Sequence, residues 1–294
     1  MPSRIVLRSL AVPEALRTAW ASWEHAAEFH HRTKDVVYEA GASADAEAGA
    51  PPPLRRPPDG QPPLHLPAVR PEEGRLTGCL VARRTWRQFG AAGVPLADVA
   101  ILCQYTFGVQ WWMYAGDADR QALKTSPSGG ARHSVEAYVM ALRVEDLESG
   151  VYHYDPDLHA LRLLETGFDG ESIRRSMPAQ PCFWGAGAVL FLTSRFERVR
   201  ARYPHSRAYR TILAEVGHLG QSFCLLATEM GLAPFTTMAI ADSEVDRLIG
   251  VDGVSESVLY ALGVGSRPED GRPTVAKGRP SPRLAPPTYA RRED

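Results

Sequence analysis

The stretch 207–231 does most to limit how this chain can fold. Tyr209, Ile212, Leu213, Val216, Leu219, Phe223, Leu226 and Met230 recur at the spacing of one helical face. Gly231 then stands where a helix ends on a C-cap residue. A helix this long needs a broad apolar surface to lie on, and the remaining pattern supplies strands for it. Residues 136–142 alternate as a strand, and 188–193 form a continuous apolar run of buried-strand length. Segments 151–154 and 160–164 flank Asp155-Pro156-Asp157, a hairpin turn. A last strand is expected over 256–263. Strands and helices are not in strict βαβ alternation, so the expected class is α+β, a mixed central sheet surrounded by helices. Gly217 and Gly220 would weaken an isolated helix. They point to close packing against another helix, such as the same helix of a second chain.

Elsewhere, 11–31 reads as a helix. Residues 41–71 are too rich in Ala, Gly and Pro for a regular helix or a central strand. Residues 75–87 read as a helix, and Asp98 sits in the first turn of another that runs to Phe107. Beyond Pro268 the chain is charged and Pro-rich. Three parts follow: an N-terminal helix and arm (1–75), a compact domain (76–268) and a polar tail (269–294).

Composition excludes several classes. The 294 residues carry a net charge of −1, which gives no global pull toward nucleic acid or an anionic membrane. No segment is apolar for long enough to span a bilayer, and the N-terminus lacks a secretory signal, so a cytoplasmic protein is expected. Cys79, Cys103, Cys182 and Cys224 form no CxxC pair and read as buried free thiols. No GxGxxG follows a strand, and neither a Walker A nor a Gly-x-Ser-x-Gly sequence occurs. Glu215-x-x-His218 is half of a di-iron pattern, but no second Glu-x-x-His accompanies it. No metal is expected; a buried Glu215–His218 hydrogen bond is.

Two segments carry possible chemistry. Ser126-Pro127-Ser128-Gly129-Gly130-Ala131 is a small-residue loop running into a strand. It is either a plain turn or a place where backbone closely approaches a flat or anionic ligand. Arg83-Arg84-Thr85-Trp86-Arg87 is either a solvated basic face or, at a helix terminus, a set of groups converging on one ligand.

In order and rough spacing, these segments resemble the FMN-dependent nitroreductase superfamily. The likeness takes in Gly150-Val151-Tyr152-His153-Tyr154-Asp155 and Glu215-x-Gly217-His218-x-x-Gln221, covers roughly 76–267, and extends weakly to 29–34. The narrower resemblance is to the SagB-type branch, which includes dehydrogenases that oxidise azolines in ribosomal peptides. It implies a nitroreductase-like fold in an intertwined homodimer with FMN at the interface. By resemblance, Arg83 serves the phosphate or ribityl side and Arg87 the pyrimidine edge, with Arg84 and Thr85 in the same segment. Pro127, Ser128, Gly129 and Gly130 form the loop that touches the flavin, often from the neighbouring subunit. Leu232 and Ala233 pass near the ring, and Arg267 binds phosphate. One departure concerns the branch's Lys-Tyr pair, which here reads Arg202-Tyr203. Tyr203 can exchange a proton, but Arg202 stays protonated and can help only electrostatically.

The resemblance implies an enzyme that desaturates a modified peptide, azoline to azole, with a cyclodehydratase-type partner. Alternatives are an NAD(P)H-dependent nitro or enone reductase of small molecules, and a non-catalytic flavin-binding scaffold. Trp111-Trp112-Met113-Tyr114 reads as dimer core or pocket lining.

Overall fold

The computed structural model describes residues 62–66, 76–114, 120–166, 170–178, 180–203, 206–253 and 255–269. The expected helix at 11–31, the segment 29–34, most of 41–71 and all but the start of the tail lie outside them.

In chain order the elements are β1 (Leu64–His65), α1 (Leu76–Ala82), β2 (Val94–Pro95), α2 (Leu96–Phe107), β3 (Trp111–Tyr114), β4 (Arg120–Leu123), β5 (Val135–Ala141), β6 (Val144–Glu145), β7 (Gly150–Asp155) and β8 (Ala160–Thr166). They continue with α3 (Gly170–Ser176), β9 (Ala188–Arg195), α4 (Phe196–Arg200), α5 (Tyr209–Glu229), β10 (Ala233–Thr237), α6 (Asp242–Ile249) and β11 (Glu256–Gly265). Seven strands form one sheet in the order β1-β8-β7-β5-β9-β11-β10, and every ladder in it is antiparallel. The one parallel pair among the described residues is the small β2–β6 bridge.

Side-chain alternation sorts the sheet into two buried faces. Val135, Ala137, Val139 and Ala141 of β5 pack with Leu102 and Phe107 of α2 and with Val216, Leu219 and Phe223 of α5. Tyr138 and Met140 point the other way, toward Ile173, Val245 and Ile249 of α3 and α6. This three-layer α+β arrangement buries β5 along its whole length and β9 up to Ser194. Each large side chain so buried contributes about 1.5–3 kcal/mol.

Two local expectations are corrected. The helix read over 75–87 stops at Ala82. The Arg84 guanidinium bonds the carbonyls of Val81 and Arg83, and the Trp86 amide leaves the helical pattern for the Pro234 carbonyl. Gly220 packs against a strand instead of a helix, since a β-carbon there would lie 2.8 Å from the Tyr260 ring of β11. Gly217 faces open space.

Candidate functional site

The buried face of α5 carries one carboxylate, Glu215, among apolar neighbours. A buried carboxylate needs donors, and the 126–131 loop and the start of β5 supply them. Ser128 Oγ donates to Glu215 Oε2 at 2.8 Å, Ser134 Oγ donates to the same oxygen at 3.2 Å, and the Val135 amide reaches Oε1 at 3.4 Å. Ser128 Oγ also accepts the His133 amide at 2.9 Å. One turn further on, His218 Nδ1 lies 3.1 Å from the Pro127 carbonyl. A carbonyl only accepts, so Nδ1 carries the proton. Ser126 and Ser222 hydroxyls share a 2.9 Å bond. The expected Glu215–His218 hydrogen bond is therefore corrected, because each side chain turns to the loop. Burial raises the Glu215 pKa, and the loop donors and the Lys124 charge offset part of this.

The glycines of the loop are fixed by what lies above and below them. A β-carbon on Gly129 would meet Thr211 of α5 at 2.9 Å. Gly130 has φ +61°, and its β-carbon would come within 2.6 Å of the Tyr203 hydroxyl. Tyr203 is half-buried against Val199, Ala208 and Ile212. The short α4 thus aims this phenol at the loop. Arg202 is half-buried beside it.

A second group of expected residues gathers at the other end of α5. Trp86 N donates to Pro234 O at 3.0 Å, drawing 83–87 alongside β10. Leu232 and Ala233 are buried. Arg267 donates to the carbonyls of Leu232 (3.1 Å) and Thr228 (3.2 Å) and stacks 5.4 Å from the Trp86 ring. Two of its donors close the C-terminal end of α5, which gives it a structural duty besides the expected phosphate contact. Arg84 likewise ends α1. Arg87 is exposed, while Arg83 and Thr85 are half-buried.

The expected residues therefore gather in two groups toward opposite ends of a single helix. Glu215 and Thr228 stand roughly 20 Å apart at about 1.5 Å of rise per residue. Sequence reasoning named both groups and expected Glu215 to be buried and hydrogen-bonded, but gave it His218 as its partner instead of Ser128, Ser134 and Val135. It also missed the charged cluster behind the loop. There Glu136 binds His153 Nε2 at 2.7 Å and Arg198 Nη2 at 2.5 Å, and Arg198 donates to the His133 carbonyl at 3.0 Å. Burial alone would raise the Glu136 pKa, but Arg198 and His153 outweigh it and hold the carboxyl at about 2. Burial and Lys124 lower His133 to about 4. Among the described residues no cluster of His, Cys, Asp or Glu could hold a metal. Trp111, Met113 and Tyr114 are exposed on the β3–β4 hairpin.

Comparison with known proteins bears on the family and the fold. The chain is 29% identical over 207 residues to the nitroreductase-like protein MJ1384 of Methanocaldococcus jannaschii, covering 70% of this chain and 97% of that one. It is 32% identical over 159 residues to the trifolitoxin-processing protein TfxB of Rhizobium leguminosarum, covering 51% of this chain and 41% of TfxB. Among solved structures, a nitroreductase-like protein from Anabaena variabilis superposes with TM-score 0.66 at 20% identity, over 92% of this chain and half of that one. The E. coli microcin synthetase McbBCD complex with truncated pro-MccB17 gives TM-score 0.51 at 21% identity, over 87% of this chain and 94% of the matched chain. TfxB bears out the SagB-type resemblance, and the nitroreductase family model matches residues 80–266. The chain belongs to the nitroreductase family and is one of its oxidoreductases.

Proposed function

We propose that this chain is an FMN-dependent, SagB-type dehydrogenase that desaturates a modified ribosomal peptide, azoline to azole. The observation that carries it is the Gly129-Gly130 cradle, clamped between Thr211 and Tyr203 and anchored by Glu215. The residues fit a flavin mononucleotide. Arg83, Thr85 and Arg87 offer cationic and hydroxyl donors to a phosphate or a reduced ring. Arg132 Nε is buried beside the cradle with no hydrogen-bond partner among the described residues. When bound, FMN supplies the two-electron acceptor. Arg83 and Arg87 hold the anionic groups, and Leu232 and Ala233 line the ring edge. Tyr203 holds or moves a proton at its hydroxyl, while Arg202 stays charged and stabilises the phenolate. Because the two groups of candidates lie toward opposite ends of α5, a second copy of the chain completes each site, and the working unit is a homodimer. The sequence likeness to TfxB supports a peptide substrate, delivered with a cyclodehydratase-type partner in the cytoplasm.

The test is incubation of the FMN-loaded protein with an azoline-containing peptide, followed by mass spectrometry. Loss of two hydrogens that disappears in Tyr203→Phe is expected. An unchanged peptide alongside rapid flavin bleaching by NAD(P)H would move the protein to the small-molecule reductases.

A further inference from the structure

The Gly129-Gly130 loop enters the sheet and α4 leaves it side by side. β5 begins with Val135 opposite Ser194 of β9, and the Arg195 amide donates to the Ser134 carbonyl at 2.9 Å. One residue beyond that rung the link is made by a side chain, as Arg198 Nη1 donates to the His133 carbonyl at 3.0 Å. This carbonyl belongs to a strained stretch. Gly130, Ala131 and His133 have φ of +61°, +52° and +41°, and two of the three carry a β-carbon, which that region disfavours. Such backbone persists only where its surroundings hold it. His133 is held at both of its peptide groups: Ser128 Oγ accepts its amide at 2.9 Å, and Arg198 takes its carbonyl.

Arg198 is itself fixed. It is 7% exposed, and its Nη2 lies 2.5 Å from Glu136 Oε1, while the other Glu136 oxygen meets His153 Nε2 at 2.7 Å. Glu136 and His153 stand on the neighbouring strands β5 and β7, inside the seven-stranded sheet. Arg198 and His153 outweigh burial and keep the Glu136 carboxyl ionised, so the anchor stays charged. The helix that carries Arg198 has only five residues, too few to hold together alone. Its last turn leads to Tyr203, whose amide donates to the carbonyl of Val199 at 2.9 Å, next to Arg198. The Tyr203 hydroxyl then returns to Gly130 of the loop. Sheet, loop and phenol thus form a closed ring in which one guanidinium joins three members. We propose that Arg198, anchored on Glu136, is a positioning residue for the dehydrogenation: it holds the strained 130–133 loop through the His133 carbonyl and sets the Tyr203 hydroxyl against that loop through α4.

This inference rests on the proposed function, because it takes Tyr203 as the group that moves the proton, and its test is therefore read both without and with turnover. The variant is R198M/E136Q, which removes the guanidinium without stranding a buried carboxylate. Hydrogen–deuterium exchange in the FMN-free protein follows the amides of residues 131–134 and 201–203. Both segments are expected to lose about tenfold or more of their protection together, while the β10–β11 ladder keeps its own. With saturating FMN and an azoline-containing peptide, kcat per bound FMN is expected to fall about tenfold to a hundredfold. KM for the peptide should stay within about twofold of wild type, because the phenol is displaced and the peptide-binding surface is not. R198K keeps a cation beside Glu136 but offers one nitrogen in place of a planar fork. It carries the same test should the double variant fold poorly. Wild-type protection in both segments, loosening of one without the other, or an unchanged kcat per bound FMN would overturn the assignment. A wild-type protein that leaves the peptide unchanged would remove the dehydrogenase reading, and exchange alone would then decide whether Arg198 holds the loop and α4 together.

Discussion

The Tyr203 hydroxyl stands 2.6 Å from the point where a β-carbon on Gly130 would begin, and Gly130 is held at φ +61°. Sterics and backbone conformation therefore make the same demand at one residue. The tyrosine and the loop form a unit, so a change in one is felt by the other.

Gly130→Ala meets both demands at once. A positive φ costs an L-residue about 1–2 kcal/mol, and the new methyl pushes on Tyr203. Urea unfolding should show a loss of at least that size. Adding Tyr203→Phe should recover the steric share but not the backbone share, so the double variant should be less destabilised than the sum of the singles.

Removing the anchor should cost more than removing the outer contact. Glu215→Ala strands the Ser134 hydroxyl in the interior and frees Ser128. Hydrogen bonds to a charged group contribute about 1.5–3 kcal/mol, and a drop of about 2–3 kcal/mol is expected. His218→Ala removes one bond at the surface and should cost less than about 1 kcal/mol. Equal losses from chemical denaturation would contradict the division of roles.

The arginines should separate into two kinds. Arg267→Ala removes two bonds to the α5 terminus and is expected to cost about 1–2 kcal/mol of stability. Arg87→Ala touches an exposed side chain and should leave stability within about 0.5 kcal/mol. It should instead weaken FMN binding, measured by fluorescence titration.

Acid should act in two stages. His133 has a folded pKa of about 4, below the ordinary 6.5, so the unfolded chain takes up its proton first and stability falls between those values as pH drops. Glu136 has a folded pKa of about 2, below 4.5, so its contribution is full above 4.5 and is lost as pH falls toward 2. Melting temperatures from pH 7 to pH 3 should fall throughout. His133→Asn should remove the upper stage and leave the lower one.

The long helix was legible because its apolar period runs unbroken from Tyr209 to Met230. The hairpin at Asp155 was legible because that carboxylate caps the amides of Asp157 and Leu158. What failed depended on partners distant in sequence. The end of α1 at Ala82 is set by a carbonyl 148 positions after Trp86, that of Pro234, which no local propensity records. Of the α5 glycines, Gly220 is a place of close approach, to Tyr260 of β11 and not to a helix, while Gly217 faces open space. For the proposed site, residue types picked out the two groups of candidates. Their placement toward opposite ends of α5 appeared only in three dimensions, as did the bonds of Glu215 to Ser128, Ser134 and Val135.

The most direct measurement is the visible absorption spectrum of the purified protein, with mass spectrometry of whatever denaturation releases. An oxidised-flavin spectrum with FMN released is expected. A colourless protein that takes up no added FMN would contradict the cofactor assignment and with it the proposed dehydrogenase.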